Sequence, residues 1–149
     1  MALREIRKNG DEILNKVCKE VKNFDSKLAI LLDDMYDTMT NCEGVGLAAP
    51  QVGILKRAVV IDIGEGKIEM INPVIISEEG VQNGSEGCLS VPGVYGEVER
   101  PNKVTAEAYD RNGKKFKITG EGLLARAICH ELEHLEGKLF LERVTKFVD

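Results

Sequence analysis

A chain of 149 residues can bury a core of its own, and with no Pro/Ser/Gly-rich stretch or shift of composition it reads as one domain over residues 1–149. Apolar residues at 43% and charged residues at 30% exclude the disordered and membrane classes, and no apolar run is long enough to span a bilayer. The net charge of -5 excludes a general nucleic-acid binder, whose affinity comes from clustered Lys and Arg displacing phosphate counterions, so neither DNA nor a membrane is an expected partner.

The first residues, Met-Ala-Leu-Arg-Glu-Ile-Arg-Lys, mix charges and carry no apolar stretch of signal-peptide length, so a cytoplasmic location is expected. Cysteines stand at 18, 42, 88 and 129 without a CxxC pair, which argues against a disulfide framework and leaves the thiols free for other chemistry. Cys18, Cys42 and Cys129 lie outside any motif and read as packing residues.

In chain order, Asp25 can cap a helix whose apolar residues Leu28, Leu31, Leu32, Met35 and Met39 share one face, and which ends near Asn41. Gly44-Val45-Gly46-Leu47-Ala48-Ala49-Pro50-Gln51 is small and backbone-exposing, a loop or extended segment where something approaches the main chain. Arg57 to Ile63 and Lys67 to Ile76, the latter broken at Pro73, begin a sheet. Residues 97 to 109 and 114 to 119 alternate around Asn112-Gly113, a pair that tolerates positive φ and predicts a hairpin. From Gly122 to Glu136 the apolar residues at 124, 128, 132 and 135 recur with helical period, and Gly137 is placed to end that helix as a left-handed cap. The expected fold class is α+β, antiparallel sheet packed around a C-terminal helix.

That helix carries His130-Glu131-Leu132-Glu133-His134, an HExxH motif. Residues four apart lie on one helical face, so both imidazoles can reach one ion with Glu131 beside it, and the chain has no other histidine. Two histidines make an incomplete site, because catalytic ions of the zinc type usually keep three protein ligands and one open position. A third histidine six residues on is absent, since Phe140 stands there, so the third ligand is expected upstream. Cys88 in Glu86-Gly87-Cys88-Leu89-Ser90 is the best candidate, at the end of a stretch rich in turn residues; the alternative is a small buried apolar residue. Cys129 is turned about 100° from His130 on an ideal helix and points away from the ion.

Taken together and in this order, the segments 44–51, 86–90 and 130–134 resemble the peptide deformylase family, and the likeness extends from the early helix through Leu139-Phe140. The resemblance implies an α+β fold with Cys88, His130 and His134 binding one divalent ion, Fe²⁺ natively, with Zn²⁺, Ni²⁺ or Co²⁺ able to substitute. It implies removal of the formyl group from N-formylmethionyl nascent peptides. In that scheme Glu131 moves the proton, and the Gln51 amide with the Leu89 backbone N–H stabilises the oxyanion. Gly46 and Gly87 would pair with the substrate as an added strand, whose room explains the lack of bulk there. Val45 and Leu89 would border the methionine side chain, and Arg100 would contact the peptide or remain a solvated strand charge.

Two departures from the family pattern stand out. Glu133 occupies a position usually held by Asp, which bears on hydrogen bonding behind the metal ligands. Arg126 stands one turn before His130 where a hydrophobic residue is often found, so the methionine pocket is expected to be more polar or differently shaped at that edge. Little chain follows the metal helix compared with relatives whose C-terminal extension docks at the ribosome, so transient ribosome association is left open. Three other readings compete: a zinc peptidase acting within chains, a structural metal module, and an inactive homologue.

Overall fold

The computed structural model describes residues 2–148. A 3-10 turn at Glu12–Asn15 precedes helix α1, Ser26–Asn41; strands β1, Gly46–Ala48, and β2, Ala58–Ile61, follow, separated by a 3-10 turn at Ala49–Val52. Then come β3 (Ile68–Glu79), β4 (Gln82–Cys88), β5 (Val91–Arg100), β6 (Lys103–Tyr109) and β7 (Lys115–Glu121), before helix α2 at Leu123–Leu135 and strand β8 at Val144–Val148. Two antiparallel sheets result, a five-stranded one ordered β1-β2-β3-β6-β7 and a three-stranded one ordered β4-β5-β8.

The period-2 alternation of the strands divides the core between the two helices. Leu47, Ala58, Val60 and Ile71 point to one face of the large sheet and meet Leu28, Leu31, Leu32, Met35 and Met39 of α1. Their neighbours Ala48, Val59, Ile61 and Met70 point to the other face and meet Ala125, Ile128, Leu132 and Leu135 of α2. Each fully buried Leu, Ile or Met contributes about 1.5–3 kcal/mol by leaving water, so these two faces hold both helices in place. Helix α2 also contacts β5, so it sits between the two sheets.

The helix ends follow local chemistry. Asp25 Oδ1 accepts from the Leu28 N–H at 3.0 Å, as expected of the N-cap. Gly137, at φ 76°, closes α2: its N–H reaches His134 O and the Lys138 N–H reaches Glu133 O, the paired bonds of a Schellman motif.

Four strand expectations need correction. Pro73 does not end its strand, because a bulge between Ile71 and Val74 absorbs it and β3 runs on to Glu79. The alternating run 97–109 is two strands in different sheets, with Pro101, which has no N–H to donate, between them. The β6–β7 connection is a five-residue loop rather than a two-residue turn: Asp110 Oδ1 accepts from the N–H groups of Asn112 and Lys114, and of the Asn-Gly pair only Gly113 takes positive φ. The segment before Cys88 is strand β4, although Gln-Asn-Gly-Ser-Glu-Gly is poor in β-formers; its pairing with β5 overrides propensity.

Candidate metal centre and cleft

Two elements from different layers converge at the site. Strand β4 ends at Cys88, which pairs across a tight Leu89-Ser90 turn with Val91, so the thiol sits at the tip of a hairpin. Helix α2 brings His130, Glu131 and His134. One donor atom from each of Cys88, His130 and His134 lies within 4.8 Å of the other two. Cys88 Sγ is 3.4 Å from His134 Nε2, and the two rings are 5.1 Å apart between centroids at 68°. One sulfur and two imidazole nitrogens at this spacing fit a single divalent ion of the zinc or ferrous type.

The surroundings set the state of each group. Burial, with the charges of His130 and Arg100, holds His134 well below the usual histidine range, leaving it neutral and able to offer a lone pair. His130 Nδ1 is 2.9 Å from Glu86 Oε1, which commits that nitrogen to the carboxylate and frees Nε2 for the ion. Burial pushes Glu86 up, but hydrogen bonds from Arg100 and His130 outweigh it and bring it down to about 2. Burial pushes Glu131 up to about 7 against the pull of the His130 charge. Glu131 Oε1 is buried and without a partner among the described residues, as is His134 Nδ1.

Gln51 is 1% exposed and oriented from both ends. Its Oε1 accepts from the Ala48 N–H at 3.0 Å, which leaves the amide NH₂ directed at Ser90 Oγ, 3.1 Å, and Cys88 Sγ, 3.5 Å. A cleft of about 500 Å³ opens in front of these groups, lined by Val45, Gly46, Gln51, Gly87, Cys88, Leu89, Arg126, His130 and Glu131. Its two rims are sheet edges, β1 of the large sheet and β4 of the small one. Chemically the site offers three metal donors, a buried carboxylate with a free oxygen and an amide donor, which together suit hydrolysis of an amide or ester.

The sequence profile of the polypeptide deformylase family matches residues 3–148. This chain is a member of the peptide deformylase family. The peptide deformylase of Caldicellulosiruptor bescii is 62% identical over 148 residues, covering 99% of this chain and 89% of its own. Crystal structures of the deformylases from Legionella pneumophila and Thermotoga maritima superpose with TM-scores of 0.93 and 0.94 at 49% and 38% identity; both matches cover 96% of this chain, and 86% and 98% of those chains. The family removes the N-formyl group from nascent peptides. Among the described residues no helix is long and apolar enough to cross a membrane.

Against the deformylase expectations, nine of the ten named residues line the cleft or face the ion position, whereas Arg100 lies elsewhere. Arg100 is 3% exposed, behind the metal helix, with Nε and Nη2 on Glu86 and Nη1 on Glu133 at 2.6 Å, so it is neither a solvated strand charge nor on the cleft wall. The extra methylene of Glu133 is used: its carboxylate also accepts from Arg143, joining α2 to the segment that leads into β8.

The bare backbones at Gly46 and Gly87 have reasons inside the molecule. A Cβ on Gly46 would strike the Glu131 carboxylate, and one on Gly87 would stand 2.6 Å from Tyr95 Cε1. Arg126 lines the cleft as the departure from the family pattern suggested, with its guanidinium engaged by Glu86, Val98 O and Gln82. Cys42 is exposed at the cleft mouth rather than packed, while Cys18 and Cys129 are buried as expected. Glu86 and Ser90 are site residues to which sequence reading assigned no role. No local signal marks Glu86, because the strand that carries it with Cys88 is set by pairing with β5.

Proposed function

We propose that this protein hydrolyses the N-formyl group of formylmethionyl polypeptides, releasing formate, with one divalent ion held by Cys88, His130 and His134. Fe²⁺ is the ion expected in the cell; a site of one sulfur and two imidazoles also accepts Zn²⁺, Ni²⁺ or Co²⁺, which bind more tightly than Fe²⁺ in the general affinity order. When bound, such an ion supplies Lewis acidity, lowering the pKa of water and polarising the formyl carbonyl.

The observation that carries the reading is Glu131 Oε1, a buried carboxylate oxygen without a partner beside three convergent donors. Glu131 takes a proton from the attacking water and returns it to the departing amine. Burial favours the protonated form of Glu131, which helps it keep the proton until the amine departs. The amide NH₂ of Gln51, held by Ala48 and Ser90, and the Leu89 N–H donate to the oxyanion as the carbonyl carbon becomes tetrahedral. The peptide lies between the β1 and β4 edges, where Gly46 and Gly87 offer main-chain groups to an added strand, with Val45 and Leu89 against the methionine side chain. A nascent chain as substrate implies a cytoplasmic site of action and at most transient contact with the ribosome.

The test is formate release from a short N-formylmethionyl peptide by protein prepared anaerobically with Fe²⁺ or Ni²⁺, alongside Glu131→Ala and Cys88→Ala. The parent is expected to turn over, with both variants reduced by roughly 10²-fold or more. A fully metallated parent that releases no formate overturns the reading.

A further inference from the structure

Arg126 makes contacts that the proposed chemistry does not use. It lies on α2 one turn before His130 and is 6% exposed. It lines the cleft with Leu123 and Ala127, and its guanidinium bonds to the three-stranded sheet. Nη1 donates to Glu86 Oε2 at 2.7 Å and to Val98 O at 3.0 Å, and Nη2 donates to Gln82 Oε1 at 3.2 Å. All three acceptors belong to β4 or β5.

That placement matters because the ligand set is split between the same two bodies. Cys88 is on β4, two residues from Glu86, whereas His130 and His134 are on α2. Glu86 carries both connections: Oε2 accepts from Arg126, and Oε1 accepts from His130 Nδ1 at 2.9 Å. Arg100 also grips Glu86, at 2.8 and 2.9 Å, but from β5, a strand of the same sheet, and reaches α2 only through Glu133, on the other side of His130. Apart from the His130 ring that it orients, the Glu86 carboxylate is held to the helix that carries the imidazoles by Arg126.

Resting on the reading of Cys88, His130 and His134 as metal ligands, we propose that Arg126 is a positioning residue that clamps β4 to α2 through Glu86, fixing the His130 ring and its placement relative to Cys88. The long stem and the fork are both required: the stem spans from the helix past the cleft wall, and the fork reaches the carboxylate, the Val98 carbonyl and Gln82 together. A hydrophobic residue at 126 forms the wall without the clamp.

The experiment uses Co²⁺ as the probe, because its absorption reports the geometry of a thiolate-containing ligand set. Arg126→Met and Arg126→Gln are compared with the parent for Co²⁺ dissociation constant, by chelator competition, and for the visible spectrum. Arg111→Met is the control; it removes an arginine shared by Glu69 and Asp33, remote from the cleft. The expected result is Co²⁺ binding weakened about tenfold or more in both Arg126 variants, the range seen when partners behind a metal ligand are lost, with altered absorption bands and no such change in Arg111→Met. Either folded Arg126 variant binding Co²⁺ within twofold of the parent and with its spectrum, whatever its thermal stability, overturns the proposal. Because the readout is binding, a parent that binds Co²⁺ and releases no formate overturns the enzymatic reading alone.

Discussion

The Glu131 carboxylate rests against the bare Cα of Gly46: a Cβ built there would stand 2.9 Å from Glu131 Cδ and 3.0 Å from Cγ. Strand β1 and helix α2 thus meet at the one side chain the proposed reaction needs to move a proton. Gly46→Ala is therefore expected to displace the carboxylate and lower kcat by roughly 10²-fold, the contribution of a positioned base, while metal content stays at parental level. Unchanged turnover in a metallated Gly46→Ala protein contradicts this assignment.

Gln51 is held by the Ala48 N–H and Ser90 Oγ, so its donor group has one orientation. Gln51→Ala should reduce kcat by about 10²–10³-fold with metal affinity little changed, because it removes an oxyanion donor. Gln51→Glu should be no better, since the carboxylate offers an acceptor where a donor is required. Steady-state kinetics on the metal-loaded variants checks both.

Behind the helix, Arg100 is buried between Glu86 and Glu133. Arg100→Met leaves Glu133 with the half-exposed Arg143, and Glu86 with Arg126 and His130. Removing one partner of a buried ion pair costs about 3–5 kcal/mol, and the remaining arginines place this case at the lower end. Glu133→Asp retains the charge but shortens the reach, and a smaller loss, on the order of 1 kcal/mol, is expected. Urea denaturation of metal-saturated protein measures both; equal stability of Arg100→Met and parent would contradict the role assigned to this pair.

Burial pushes the thiols of Cys18 and Cys129 up to about 11. Since the thiolate is the reacting form, only about 10⁻³ of each is reactive at pH 8, and alkylation of metal-loaded protein there should fall on exposed Cys42. Labelling of Cys18 and Cys129 should rise as the pH approaches 11. Peptide mapping after a timed iodoacetamide pulse reads this, and early modification of Cys129 at pH 8 would contradict the burial described.

Metal binding should also appear as stability. Ni²⁺ at about 100 times its dissociation constant is expected to add about 2.7 kcal/mol to the folded state. His134→Ala, lacking one of three donors, should lose most of that gain, and a thermal shift identical in both proteins would remove His134 from the ligand set.

Much of the fold and site is legible in the chain itself because it depends on short-range periodicity. The 3.6-residue repeat places His130, His134 and Glu131 together on one helix, Asp25 and Gly137 mark helix ends, and β-branched runs mark β2 and β3. The HExxH spacing and a cysteine preceded by glycine point to a metal site before any tertiary contact is considered.

What only the tertiary structure decided is how distant segments meet. Strand β4, composed of poor β-formers, is a strand because β5 pairs with it, and no local preference reveals that. Arg100 and Arg126 read as a solvated charge and a polar intrusion because their partners lie 14 to 44 residues away in sequence; the fold buries both against Glu86. A buried charge is stable only where opposite charges and hydrogen-bond partners surround it, and that company is assembled by packing α2 between the two sheets. The sequence by itself determined the residue types and local spacing of the proposed metal donors; the meeting of sheet and helix decided which buried ion pairs hold them in register.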